Sequence, residues 1–120
     1  MSTLSVVTIV SQAIRLQYPI IPVLESVLPI ADEIVINIDT GRPDRTRAIL
    51  HDWARSRGRS PIVLLDSRWN WEARDAGQEL ARQTNLAFEA CTKDWILYLQ
   101  ADEAVQRVAD RVRSGGHDVT

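Results

Sequence analysis

Cysteine is nearly missing from this chain. Cys91 is the single one in 120 residues, which excludes an intramolecular disulfide and any multi-cysteine zinc site. It sits in a helical apolar pattern, so a buried, inert thiol is expected rather than a nucleophile. The two histidines, His51 and His117, have no acid or cysteine at metal-ligand spacing, and neither is given a role. Long apolar runs are missing too. The stretch Val6–Val10 is too short for a spanning helix or a signal peptide, and no basic leader precedes it. There is no excess of positive charge: 14 Lys and Arg face 16 Asp and Glu, for a net charge of -2. Nothing electrostatic therefore favours nucleic acid or an anionic membrane. The chain shows no P-loop, no Gly-x-Gly-x-x-Gly pattern, no Ser/His/Asp set, no internal repeat and no low-complexity stretch. A reducing, cytoplasmic setting is expected.

What is present reads as one soluble globular domain, with 45% apolar and 25% charged residues. Ser5–Val10 is continuous and β-branched, as a strand buried on both faces should be. Pro19 and Pro22 forbid one helix through Gln12–Leu28, but Pro22 fits the first turn of a shorter one. That helix turns Val23, Leu24, Val27 and Leu28 inward and ends at Pro29. Glu33–Ile38 is a second strand, closing on the loop Asp39-Thr-Gly-Arg-Pro43. Asp44 suits an N-cap, and Ile49, Leu50, Trp53 and Ala54 follow at helical spacing toward a basic end at Arg55–Arg59.

A third strand is expected at Pro61–Leu65, then a polar, Trp-rich loop over Asp66–Gly77. A third helix follows over Gln78–Thr92, with Leu80, Thr84, Ala87, Phe88 and Cys91 on its inward side. Trp95–Leu99 makes a fourth strand. Residues 1–105 are expected to form the folded unit, and 106–120 a charged, frayed C-terminal segment ending beyond Gly115-Gly116.

Alternating strands and helices predict an α/β, Rossmann-like three-layer sandwich with a mostly parallel sheet and right-handed crossovers. In such sheets a ligand lies outside the carboxyl ends of the strands, where strand order reverses. Two acids fall at those ends: Asp39 after the second strand and Asp102 after the fourth. The second lies in Trp95-Ile-Leu-Tyr-Leu-Gln-Ala-Asp-Glu103, an apolar run that stops abruptly at carboxylates. Trp69 and Trp71, with Arg68 and Arg74, offer stacking surfaces and cations for a base, sugar or diphosphate; covering the sheet edge is the equal alternative.

The order of these pieces resembles the N-terminal half of a family-2 glycosyltransferase with the GT-A fold. Ile38-Asp-Thr-Gly-Arg-Pro-Asp-Arg-Thr46 matches the family's acidic second-strand motif at Asp39, Gly41, Asp44 and Thr46. Gln83-Thr-Asn85 stands where the family has Ala-Arg-Asn, and Leu99-Gln-Ala-Asp-Glu103 where it has Asp-Ala-Asp. The resemblance implies a truncated GT-A-like fold binding a nucleotide-sugar donor. On that basis Asp39 bonds the base or ribose, Ser11 and Gln12 line the nucleotide rim, and Asn85 orients the acidic loop or donor. Asp102 then ligates Mg²⁺ or Mn²⁺, whose charge offsets that developing on a diphosphate leaving group.

Gln100 replaces the first acid of the motif, a change that lowers metal affinity while leaving an amide to meet phosphate. The family's catalytic base lies downstream of any position in this chain, and a complete domain runs to about 200–250 residues. Two readings follow from the resemblance: a glycosyltransferase-like protein acting on an acceptor the sequence does not specify, and a truncated, non-catalytic nucleotide-binding module. A third class, a doubly wound signalling domain binding Mg²⁺, lacks the Lys-bearing fifth strand it would need. With the fourth strand at an edge, Trp95, Ile96, Leu97 and Tyr98 need cover, so self-association through that edge is expected.

Overall fold

The computed structural model describes residues 2–41, 44–57, 61–70, 72 and 76–100. In chain order they form β1 (Leu4–Val10), α1 (Ile20–Val27), β2 (Glu33–Asp39), α2 (Thr46–Ser56), β3 (Ile62–Ser67), α3 (Ala76–Glu89) and β4 (Trp95–Gln100). The strands make one sheet in the order β3-β2-β1-β4, every pairing parallel. The fold is α/β with a parallel sheet between two helical layers, as the alternation implied.

β2 explains much of the architecture. All seven of its residues are buried, so alternate side chains enter two different interiors. Ile34, Ile36 and Ile38 join Val6, Val10, Leu24, Val27, Leu50 and Trp53, which places α1 and α2 on one face. Fully burying each such isoleucine contributes about 1.5–3 kcal/mol. Val35 joins Val7 and Ala87, with Phe88 and Tyr98 packed beside them, which places α3 on the other face. The Phe88 and Tyr98 rings meet edge to face at 5.8 Å between centroids. The chain thus winds outward from β1 to β3 beneath α1 and α2. It then returns over the opposite face to β4, so the strand order reverses between β1 and β4.

Three expectations are corrected here. β3 runs two residues further than Leu65, because Asp66 and Ser67 pair with Ile38 and Asp39. α3 begins at Ala76 and ends at Glu89, short of Thr92. Its inward face is also turned from the apolar stripe: Glu79, Gln83 and Ala87 are buried, whereas Leu80 is exposed. The reason lies in β2, whose side toward α3 carries Glu33, Asn37 and Asp39, all buried. Buried polar groups require partners, so α3 presents polar residues to them.

At the amino end of the sheet, Glu33 accepts from Ser5 Oγ (2.7 Å), the Thr92 backbone N–H (2.9 Å) and Thr92 Oγ1 (2.8 Å). Burial alone would raise its pKa. The Thr92 and Ser5 hydrogen bonds and nearby Lys93 outweigh that and hold the carboxyl below its usual value. Cys91 lies beside this group, donates to the Ala87 carbonyl at 3.4 Å, and has its pKa pushed up by burial. It is half-buried rather than fully buried as expected, and the raised pKa disfavours its thiolate. The 106–120 segment lies outside the described residues.

Candidate functional site

The carboxyl ends of β1 and β2 are tied together by one carboxylate. Asp39 is only 5% exposed. Its Oδ2 accepts from Ser11 Oγ at 2.7 Å, and its Oδ1 from the Gly41 N–H at 2.8 Å and the Trp69 N–H at 3.2 Å. The expected turn closure through Gly41 is present, and Asp39 also joins the ends of β1 and β3. A backbone bond from Thr40 N–H to the Ser67 carbonyl (2.8 Å) reinforces the junction with β3. The loops approach so closely that a Cβ on Gly41 would lie 3.0 Å from Arg68 Cγ and 3.2 Å from Asp39 Oδ1.

Asp44 and Thr46 hold the loop that leaves β1. Asp44 Oδ1 accepts from the Thr46 N–H at 2.8 Å, in the first turn of α2. Its Oδ2 accepts from the Arg15 N–H at 3.1 Å, and Thr46 Oγ1 accepts from the Ile14 N–H at 3.0 Å. Burial works against ionisation of Asp44, but these hydrogen bonds and Arg15 lower its pKa overall. The N-cap position of α2 is Arg45, without a side-chain cap bond, rather than the expected Asp44; Asp44 reaches the first turn from one residue before that position and clamps the two loops together. Gln12, directly after Ser11, has φ of 55°. That left-handed conformation is uncommon for a side-chain-bearing residue and costs on the order of 1–3 kcal/mol. Leu16 N–H bonds back to the Gln12 carbonyl at 2.9 Å and holds the turn.

Of the expected site residues, Ser11 and Asp39 are in direct contact, with Gln12 adjoining them. Gln100 ends β4, its backbone in register with Ile9 of β1, and so stands across the strand-order reversal from Ser11. Asn85 is exposed on α3, two residues beyond the inward-facing Gln83. Asp102 and Glu103 lie outside the described residues, as do Trp71 and Arg74. Among the described residues no group of three or more His, Cys, Asp and Glu side chains could hold a metal ion. Trp69 is buried at 4% exposure, which favours the second of its two equal readings, as cover, over an open stacking surface; Arg68 is exposed.

Two groupings went unread in the sequence. His51 is not isolated from acids, because Nε2 lies 3.3 Å from Asp66, which also pairs with Arg47 at 3.3 Å. Extending β3 by two residues is what brings Asp66 to α2. The second grouping lies under α3. Asn37 Nδ2 donates to Gln83 Oε1 at 3.0 Å, and Gln83 Nε2 to Glu79 Oε2 at 3.0 Å. Glu79 also accepts from Arg82 at 2.6 and 2.8 Å and from the Asn70 N–H. The helical i, i+4 spacing of Glu79 and Gln83 was a signal for this pairing.

No described helix is long and apolar enough to cross a membrane. Comparisons with curated proteins and with solved structures give no significant match. The sequence does match the family described as Glycosyl transferase family 2, over residues 5–111. That span contains all four strands, the reversal between β1 and β4, and the Ser11–Asp39 junction. On a match covering most of its length, the chain belongs to glycosyl transferase family 2.

Proposed function

We propose that the carboxyl edge of this sheet binds the nucleotide part of a nucleoside diphosphate sugar for glycosyl transfer. The observation that carries the reading is Asp39 at the carboxyl end of β2, one strand from the reversal between β1 and β4, held by Ser11, Gly41 and Trp69. A buried carboxylate fixed by three donors is a preorganised acceptor for a base or ribose hydroxyl. Ser11 and Gln12 form the rim beside it, Gln100 meets the diphosphate from β4, and Asn85 acts from α3. Asp102, two residues past β4, is the ligand for Mg²⁺ or Mn²⁺. A hard cation there supplies Lewis-acid stabilisation of the departing diphosphate. The residues that hold the nucleotide set its position.

The acceptor is a saccharide, lipid or protein. Within the family, a non-catalytic donor-binding module is the alternative to an enzyme; the free thiol of Cys91 agrees with a cytoplasmic setting for either. A second copy of the chain is proposed to cover the β4 edge.

Titration calorimetry with UDP, with and without Mn²⁺, tests the site. Binding that strengthens with Mn²⁺, is lost in Asp39→Asn and loses its metal dependence in Asp102→Ala is the expected result. Binding indifferent to Asp39→Asn overturns the nucleotide site. Binding sensitive to Asp39 but indifferent to Mn²⁺ and to Asp102→Ala overturns only the metal assignment.

A further inference from the structure

The loop that follows β3 is held by two carboxylates acting on consecutive backbone amides. The Trp69 N–H donates to Asp39, and the Asn70 N–H donates to Glu79. Asp39 belongs to the donor site, whereas Glu79 lies on α3 and reaches this loop through the Asn70 N–H. We propose that Glu79 is a positioning residue for the donor site: through Asn70 it fixes the Arg68–Asn70 backbone against Asp39. The inference rests on the nucleotide-binding reading of Asp39.

Three observations carry it. Glu79 is itself anchored from two directions, by the forked guanidinium of Arg82 and by Gln83. Gln83 is anchored in turn by Asn37 of the central strand, which donates to both its backbone carbonyl and its side-chain oxygen at 3.0 Å. A chain of hydrogen bonds therefore runs from Asn37, two residues along β2 from Asp39, through Gln83 and Glu79 of α3 to Asn70 in the loop after β3. Made links in a buried network resist movement, because breaking one leaves a polar group without compensation; in this network Asn37 Oδ1 has no partner among the described residues, so the stiffness rests on the links through Asn37 Nδ2, Gln83 and Glu79. Finally, Gly41 and the Asp39 carboxylate lie in close contact with Arg68 and Trp69. A shift of this loop therefore displaces the acceptor oxygens themselves. Arg82, then the Asn70 amide, holds the Glu79 carboxyl at about 2 instead of 4.5, so the anchor stays charged at any physiological pH.

The wild-type chain is compared with Glu79→Ala, Glu79→Gln, Arg82→Ala and Val27→Ala. The readouts are UDP affinity by calorimetry and the Asn70 and Trp69 amide resonances of the free protein. One lost charge-assisted hydrogen bond at the loop corresponds to roughly tenfold weaker UDP binding in Glu79→Ala. Glu79→Gln, which keeps one acceptor oxygen, recovers part of that loss. Arg82→Ala leaves the Asn70 bond in place but removes one of the two anchors of Glu79, so UDP affinity falls and the Asn70 resonance moves, each by less than in Glu79→Ala. Val27→Ala lowers stability at the opposite end of α1 without moving UDP affinity, which separates positioning from general destabilisation.

UDP affinity within twofold of wild type in Glu79→Ala overturns the inference. So does weakened affinity with unmoved Asn70 and Trp69 resonances, or an equal loss in Val27→Ala. A wild-type chain that fails to bind UDP overturns the donor reading first, and the inference with it.

Discussion

Ser11 Oγ and Asp39 Oδ2 lie 2.7 Å apart across the carboxyl ends of β1 and β2, with the hydroxyl donating. The contact joins residues 28 apart in sequence and exists because the two strands are parallel neighbours. Removing the hydroxyl in Ser11→Ala costs about 0.5–1.5 kcal/mol of folding stability. Asp39→Ala costs about 1–3 kcal/mol, because the Gly41 and Trp69 amides lose their shared acceptor. Asp39→Asn retains an oxygen for those amides and unfolds near the wild-type midpoint, yet loses UDP binding. Urea unfolding followed by calorimetry measures both quantities; Asp39→Ala as stable as wild type contradicts the hydrogen-bond assignment.

Gly41 is required by proximity. The space a Cβ would occupy is bounded by Arg68 Cγ at 3.0 Å and Asp39 Oδ1 at 3.2 Å. The exposed Arg68 side chain can swing away cheaply, whereas Asp39 gives way by a few tenths of an ångström only by stretching the bonds from its three donors. Gly41→Ala should therefore cost little stability, about 1 kcal/mol or less, while weakening UDP several-fold by displacing the carboxylate. A crystal structure of the variant would show Asp39 Oδ1 moved; UDP affinity equal to wild type would contradict the strain argument.

The fold was legible because its signals are local and redundant. Each strand is an apolar run, β2, β3 and β4 being entered from Asp32, Pro61 and Asp94, and the helices between them force parallel pairing. Near the proposed site, positions rather than roles were legible: Asp39 and Gln100 end β2 and β4, and Ser11 directly follows β1. The inward face of α3 was misread because an apolar stripe was sought, whereas Asn37 and Asp39 make that interior polar near the site. Glu79 and Gln83 then look like surface residues in sequence and become buried in the fold. Trp69 was ambiguous for a related reason: nothing local tells whether an indole in a loop covers a sheet or awaits a ligand.

Acid should unfold the protein through depressed carboxylates. Glu33, Asp44 and Glu79 all have pKa values lowered in the folded state, Glu79 from 4.5 to about 2. A lowered folded-state pKa gives stability that is complete above the unfolded value and is lost as pH falls toward the folded one. For Glu79 that window runs from about 4.5 down to about 2, and Glu33 and Asp44 act in the same direction. Circular dichroism melts between pH 7 and 2 should show midpoints flat above about pH 5 and falling below it. Glu33→Gln costs about 1–3 kcal/mol at neutral pH, through poorer acceptance from Ser5 and Thr92, and makes the acid slope shallower. A midpoint that rises on acidification would contradict the sign of all three shifts.

The β4 edge makes the last prediction. Trp95, Ile96 and Leu97 are 65%, 44% and 37% exposed, and among the described strands nothing pairs with the side of β4 away from β1. Trp95–Gln100 contains no proline and no charge, so it carries none of the usual devices that stop an edge from adding a strand. A second copy pairing β4 with β4 in antiparallel fashion would form a self-complementary, two-fold interface. It would satisfy the backbone edge and cover Trp95 and Leu97, which share the face bearing Val6. Sedimentation velocity over a concentration series should show a monomer–dimer equilibrium. Ile96→Lys or Leu97→Lys should shift it to monomer at least tenfold, since a buried lysine without a partner opposes pairing by more than about 1.4 kcal/mol. Both variants should keep the wild-type circular dichroism spectrum, because neither side chain is needed by the β1–β4 backbone ladder. A wild-type chain that remains monomeric throughout the series would exclude a second copy as the cover for this edge.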